Sequence, residues 1–152
     1  MTKSTDGGET WSEPTLLDVK KASEQSLLVG PGRGIVISTG EHKGRIVFTC
    51  YEFTNGDKNS AAIYSDDNGV TWHRGASAKN FSSEAVVTEA DGKLYMFVRR
   101  ENVYYVSNDG GETWSDPQAM GISYNATCQL TATTYSEKSN GKISLETETG
   151  GW

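Results

Sequence analysis

At 152 residues, 35% hydrophobic and 22% charged, the chain has the size and polarity of one soluble unit at most. No apolar run approaches the ~20 residues of a spanning helix, and the polar start from Met1 to Glu13 reads as neither signal peptide nor anchor. Fourteen Lys and Arg against twenty Asp and Glu leave a net charge of -6, which repels a long polyanion such as nucleic acid but leaves room for a local basic pocket that binds one small acid.

Seventeen Gly, seven Tyr and four Trp with only three Pro describe a turn-rich chain with aromatic mass to bury, an all-β composition. The first element is a tight hairpin at Ser4-Thr5-Asp6-Gly7-Gly8-Glu9-Thr10-Trp11. The same pattern, S-x-D-x-G-x-T-W, returns at Ser65-Asp66-Asp67-Asn68-Gly69-Val70-Thr71-Trp72 and at Ser107-Asn108-Asp109-Gly110-Gly111-Glu112-Thr113-Trp114. The starts of the three are 61 and 42 residues apart, and the shorter interval matches the ~40 to 50 residues of a four-stranded propeller blade. Physically, Asp6, Asp67 and Asp109 can accept backbone N–H groups of their own turn, while Gly8, Gly69 and Gly111 supply a positive φ two residues later. Trp11, Trp72 and Trp114 then offer large apolar faces for packing between neighbouring sheets. The alternating D-x-D-x-D series of a calcium loop is absent, so the pattern reads as a structural hairpin with no metal site.

After the first hairpin, alternation predicts strands over residues 34–38, 44–53 and 60–65, with residues 71–75 leaving the second hairpin. The next unit reads as strands over 84–89, 93–100 and 102–107, then 113–119, with turns at residues 39–43 and 90–92. Residues 127–135 and 142–147 read as the opening strands of a further unit. The expected fold is therefore all-β, a partial propeller of four-stranded antiparallel sheets: residues 1–20 close one blade, 21–76 and 77–119 form two more, and 120–152 begin a fourth. Propellers close with ~4 to 8 blades, so the expectation is a piece of a larger ring whose open edges invite pairing of two copies as a homo-oligomer. Cys50 and Cys128 each stand alone in apolar surroundings and read as buried thiols.

The repeated octapeptide resembles the Asp-box, or bacterial neuraminidase repeat, of the sialidases. The order of segments around it carries the resemblance further: Gly30-Pro31-Gly32-Arg33-Gly34-Ile35, Gly44-Arg45-Ile46-Val47-Phe48-Thr49-Cys50-Tyr51, a box, Ser83-Glu84-Ala85-Val86-Val87, Leu94-Tyr95-Met96-Phe97-Val98-Arg99 and another box. This order is similar to the middle of a bacterial exo-α-sialidase, over residues 1–136. The resemblance implies a six-bladed ring that hydrolyses terminal α-linked sialic acid with retention, through a tyrosine nucleophile and without a cofactor. A secreted or cell-surface bacterial protein, with sialylated glycans or free sialic acid as partners, is implied with it.

Under that resemblance Glu84 matches the glutamate that draws the proton from the nucleophilic tyrosine. The family pattern is E-x-x-V-V-E, whereas Glu84-Ala85-Val86-Val87-Thr88-Glu89 is one residue shorter before the valines; Glu89, beside a turn, reads as a solvated strand end. Arg99 matches an arginine that clamps the sugar carboxylate, for which a planar fork suits better than a lysine. Arg100 should point to the opposite face. Tyr51 and Phe53 share a strand face and match paired aromatics that touch the sugar, with ordinary core packing as the alternative, and Gln129 matches a pocket-lining position. His42 and His73 lack the partners of a catalytic imidazole. The acid/base aspartate and first arginine would precede Met1 in family order; the third arginine and the tyrosine would follow Trp152, with Tyr124 and Tyr135 too early to serve. The segment from Lys142 to Trp152 is less apolar than its family counterpart. A non-catalytic Asp-box propeller, used for glycan binding or scaffolding, is the competing expectation, and a trans-sialidase would share every residue named.

Overall fold

The computed structural model describes residues 1–78, 84–99, 101–122, 130–134 and 143–147, the last four of these by backbone alone. Gln129, Arg100, Cys128, Tyr124 and Tyr135 lie outside the described residues.

The chain folds as successive antiparallel sheets, each with its first strand at one edge, the arrangement of a partial β-propeller. In the first sheet, β1 (Ser26–Val29) and β2 (Ile35–Val36) pair in turn with the long β3 (Ile46–Thr54), which pairs with β4 (Asp57–Ser65), followed by β5 (His73–Arg74) at the outer edge. The second sheet runs in the order β6 (Ala85–Ala90), β7 (Lys93–Val98), β8 (Val103–Ser107) and β9 (Gln118–Ala119). A third begins with β10 (Leu130–Thr134) paired to β11 (Ile143–Thr147). Among the described residues no helix is long and apolar enough to cross a membrane.

Ser26–Val29 falls outside the strands expected from alternation. Leu28 and Val29 are exposed neighbours on this edge strand, so no inside-outside pattern marks it, and Gly30-Pro31-Gly32 splits it from β2. The outer strands are shorter than expected, two residues each in β5 and β9. At β9 the reason is local: Pro117 has no N–H to give to the ladder, so only Gln118 and Ala119 pair with β8.

Each box folds as the pattern requires. In the second, Gly69 N–H donates to Ser65 Oγ at 2.7 Å and Thr71 N–H to Asp67 Oδ1 at 2.8 Å, with φ of 59° at Asn68 and 75° at Gly69. Hydrogen bonds from the hydroxyl and N–H of Thr71 hold the Asp67 carboxyl well below the usual carboxylate range. Trp72 packs on Phe48, and Trp114 packs against both the core cluster of Leu94 and that of Met96. Trp11 does not pack between sheets: it is 64% exposed, with its indole N–H turned back to the Gly8 carbonyl.

Two apolar layers flank β3 and β4. Val47 and Ala62 meet Val87 and Leu94 of the next sheet, while Cys50, Ala61 and Ile63 face Leu17, Val19 and Trp72. The sheet of β6 to β8 is covered again on its far side, where Val86 and Phe97 pack with Leu130. The seam between the two complete sheets closes to backbone contact. Ala76 N–H donates to the Glu112 carbonyl at 2.7 Å, and a Cβ on Gly75 would lie 2.2 Å from the Gly111 carbonyl oxygen. Gly75→Ala must therefore separate two backbones, and the expected cost is ~1 to 3 kcal/mol or more of overpacking strain, read as a lowered midpoint in urea. An unchanged midpoint would show that the seam does not close in solution.

The face toward residues 17–19 buries a charged cluster. Arg74 Nη2 sits 3.0 Å from Glu52 Oε2 and 3.4 Å from Glu24 Oε1, Ser77 Oγ donates to Glu52 at 2.8 Å, Asn59 donates to the same carboxylate, and Lys21 N–H donates to Glu24. Burial, reinforced by the hydrogen bond to Glu52, raises the Glu24 pKa. Burial also acts upward on Glu52, but the hydrogen bonds from Glu24 and Ser77 and the Arg74 charge outweigh it and leave Glu52 lowered. The signs set the pH response: the raised Glu24 contribution is complete below the unfolded carboxylate value and is lost as pH climbs through its folded value. The Glu52 contribution is instead present above the unfolded value and lost on acidification. Glu24→Gln keeps a donor toward Glu52 without the titration, so its unfolding midpoint relative to wild type should rise as pH is taken upward from the ordinary carboxylate range. A constant difference across that span would count against a shared proton.

Candidate active site

Strand register decides which end of the sheets each candidate occupies. In the first sheet Ile46 pairs with Ser65, the opening residue of a box, whereas Phe53 pairs with Lys58 at the other end. In the second, Leu94 pairs with Ser107 at a box, whereas Ala85 pairs with Val98. Tyr51, Phe53, Glu84 and Arg99 therefore share the end opposite the boxes, a consequence of the antiparallel register set by the two-residue turns after β3 and β6.

Glu84 immediately precedes β6 and Arg99 immediately follows β7, so the antiparallel pairing sets them side by side. Arg99 N–H donates to the Glu84 carbonyl at 3.0 Å, and Arg99 Nη1 reaches Glu84 Oε2 at 2.7 Å. Their side chains keep 27% and 17% exposure, so the pair is open to a ligand while its backbone is fixed by the sheet. An arginine held against a carboxylate presents positive charge for an anionic sugar and a proton acceptor beside it, both at the ends of paired strands.

Tyr51 and Phe53 are half-buried on one face of β3, with ring centroids 5.7 Å apart, and belong to neither core layer of the sheet. Lys58 Nζ lies 4.9 Å from the Phe53 centroid. The same face of β3 carries Thr49, whose hydroxyl reaches the Ala85 carbonyl at 2.6 Å, so the aromatics project along the flank of the strand that begins after Glu84.

Glu89 is not a solvated strand end. It lies at the box end, half-buried, and accepts the N–H groups of Ser38 and Thr39 at 2.6 and 3.1 Å and the Thr39 hydroxyl at 2.7 Å. It joins two sheets far along β6 from Glu84, and partners fifty positions away in the chain leave no local signal of this. His42 sits in the turn after β2 and His73 is exposed, stacked on Tyr64 at 5.4 Å. Cys50 is buried, and burial pushes its thiol up to about 12, which makes it inert as a nucleophile in the folded state. The buried Glu24, Glu52 and Arg74 escaped sequence reading because a turn, two strands and an edge assemble them.

Residues 1–144 match the BNR repeat-like domain model. The chain belongs to that family. It is 36% identical over 159 aligned positions to an anhydrosialidase of Macrobdella decora, covering 95% of this chain and 20% of the relative. Among solved structures, a Hadza microbial sialidase superposes with a TM-score of 0.79 at 30% identity, covering 95% of this chain and 30% of its own. A leech intramolecular trans-sialidase, solved with 2,7-anhydro-Neu5Ac, gives 0.78 at 35% identity, covering 95% and 23%. The chain thus spans about a fifth to a third of the length of these relatives, and the resemblance to sialidases carried by the order of its segments is borne out.

Proposed function

We propose that this BNR-family chain forms part of a sialidase-type glycoside hydrolase acting on terminal α-linked sialic acid with retention, and that it supplies the base and one carboxylate-binding arginine. The observation that carries the reading is the Glu84–Arg99 pair at the end opposite the boxes. Arg99 would take the sugar carboxylate, and Tyr51 and Phe53 would flank the ring. Glu84 would draw the proton from a tyrosine hydroxyl, which is a poor nucleophile while it remains a phenol. That tyrosine, the acid/base aspartate and the other arginines would come from the rest of a closed six-bladed ring. A neutral nucleophile suits an anomeric centre that bears a carboxylate, since a charged one would be repelled.

In a closed ring containing this chain, Arg99→Ala should raise KM for a fluorogenic sialoside and weaken binding of N-acetylneuraminic acid by about 10- to 100-fold, the worth of a charge-assisted pair. Intact binding in that variant would defeat the role of Arg99, and no turnover by the wild-type ring from pH 4 to 8 would favour a non-catalytic propeller. The leech relatives motivate a second reading of the same site, in which a hydroxyl of the bound sugar replaces water as the acceptor. Product analysis separates the two: free sialic acid supports hydrolysis, and a 2,7-anhydro sugar supports intramolecular transfer.

A further inference from the structure

At the end that carries Glu84, three backbones converge on one hydroxyl. Thr49 is buried on β3, and its Oγ1 donates to the Ala85 carbonyl of the neighbouring sheet at 2.6 Å. Gly30 N–H donates to the Thr49 carbonyl at 2.9 Å, and a Cβ on Gly30 would stand 3.0 Å from Thr49 Oγ1 and 3.2 Å from the Ala85 oxygen. Ala85 directly follows Glu84, and Tyr51 lies two positions beyond Thr49 on the same face. A single hydroxyl thus fastens the strand with the candidate sugar-contacting aromatics to the strand that opens on the candidate base. Apolar packing of Val47 and Ala62 against Val87 and Leu94 already holds the sheets together, so the hydroxyl contributes placement beyond adhesion.

We propose that Thr49 is a positioning residue that sets the distance between Glu84 and the aromatic face of β3. This rests on the sialidase-type reading for its catalytic consequence, but the clamp itself can be observed without turnover. Thr49→Val keeps the branched shape and deletes the hydroxyl, and Thr49→Ser keeps the hydroxyl. Gly30→Ala keeps Thr49 but presses a methyl into the joint.

In the closed ring, Thr49→Val and Gly30→Ala should each lower kcat on a fluorogenic sialoside by about 10- to 100-fold, the scale of a misplacement near 1 Å. KM should stay within about twofold, because Arg99 remains on its strand, and Thr49→Ser should recover most of kcat. Amide exchange of Arg99, whose N–H is held by the Glu84 carbonyl, should quicken by about tenfold in Thr49→Val and return toward wild type in Thr49→Ser. A Thr49→Val ring with a lower unfolding midpoint but unchanged kcat per folded molecule would overturn the proposal. If the wild-type ring shows no turnover, the sialidase-type reading falls and amide exchange decides the clamp: no change at Arg99 in Thr49→Val overturns it, and the serine-reversible increase supports it.

Discussion

Glu84→Gln in a closed ring is expected to lower kcat on a sialoside by about 10² to 10⁴, the range of a lost general base, with little change in KM or unfolding midpoint. Glutamine retains an oxygen for Arg99, so the 2.7 Å contact and the strand ends that create it can persist. What disappears is the proton acceptor. A phenol with pKa near ~10 is about 0.1% ionised at neutral pH, so without the base only that fraction reacts. The variant's rate should then climb about tenfold per pH unit through the neutral range, while wild type does not show that climb. An equal loss with a flat profile would place Glu84 in binding and not in proton transfer.

Loss of the Arg45 side chain should produce a large fall in stability at the seam. Arg45 is 5% exposed and forks onto Asp66, with Nε at 2.7 Å from Oδ1 and Nη2 at 2.9 Å from Oδ2. Its Nη1 crosses to the next sheet and donates to the Asp109 and Gly110 carbonyls and to Glu112, and the guanidinium lies 4.1 Å from the Tyr64 ring centroid. Burial works to lower the Arg45 pKa, but its hydrogen bonds to the Asp66 and Glu112 carboxylates outweigh it and leave it raised. Arg45→Met fills similar volume but strands two carbonyls and two carboxylates. Breaking a buried pair costs ~3 to 5 kcal/mol; because both acids are half-exposed and can turn to water, about 2 to 3 kcal/mol is expected. Arg45→Lys should recover little of it, since an ammonium cannot serve both sheets as a fork. A loss below about 0.5 kcal/mol in urea unfolding would show that the bracket is decorative.

The parts of this fold that could be read in the sequence are those whose residues answer to near neighbours. Asp67 and Thr71 are four apart and bond to one another, and the positive φ required at Gly69 is found there, so the box declares itself in eight letters. Strands β6 and β7 are buried on both faces, so their apolar runs, bounded by the turn at Asp91 and Gly92, mark them as strands. Glu84 and Arg99 were named through the family resemblance alone, and the hairpin register that sets them side by side became visible in the structure. Strand β1 was not legible, since its side chains at Leu28 and Val29 point to open space and no burial pattern distinguishes them. Arg45 and Glu89 were misjudged or passed over for a related reason: their partners lie on another sheet, up to 67 and 51 positions away. Trp11 shows the converse, in which a local pattern is satisfied without the packing it usually serves.

The buried thiol of Cys50 gives the molecule a clock. It lies under Leu17 and Val19, on the face away from the second sheet, and with its ionisation pushed up to about 12 it reacts only after that cover lifts. In a Cys128→Ser background, the labelling rate of Cys50 by an aromatic disulfide, divided by that of a free thiol, measures how often residues 17–19 leave the sheet. If labelling keeps pace with global unfolding, the opening segment and the first sheet form one cooperative body. If it runs ahead, that segment detaches as a separate leaf, and the gap between the two rates is its private free energy of closure.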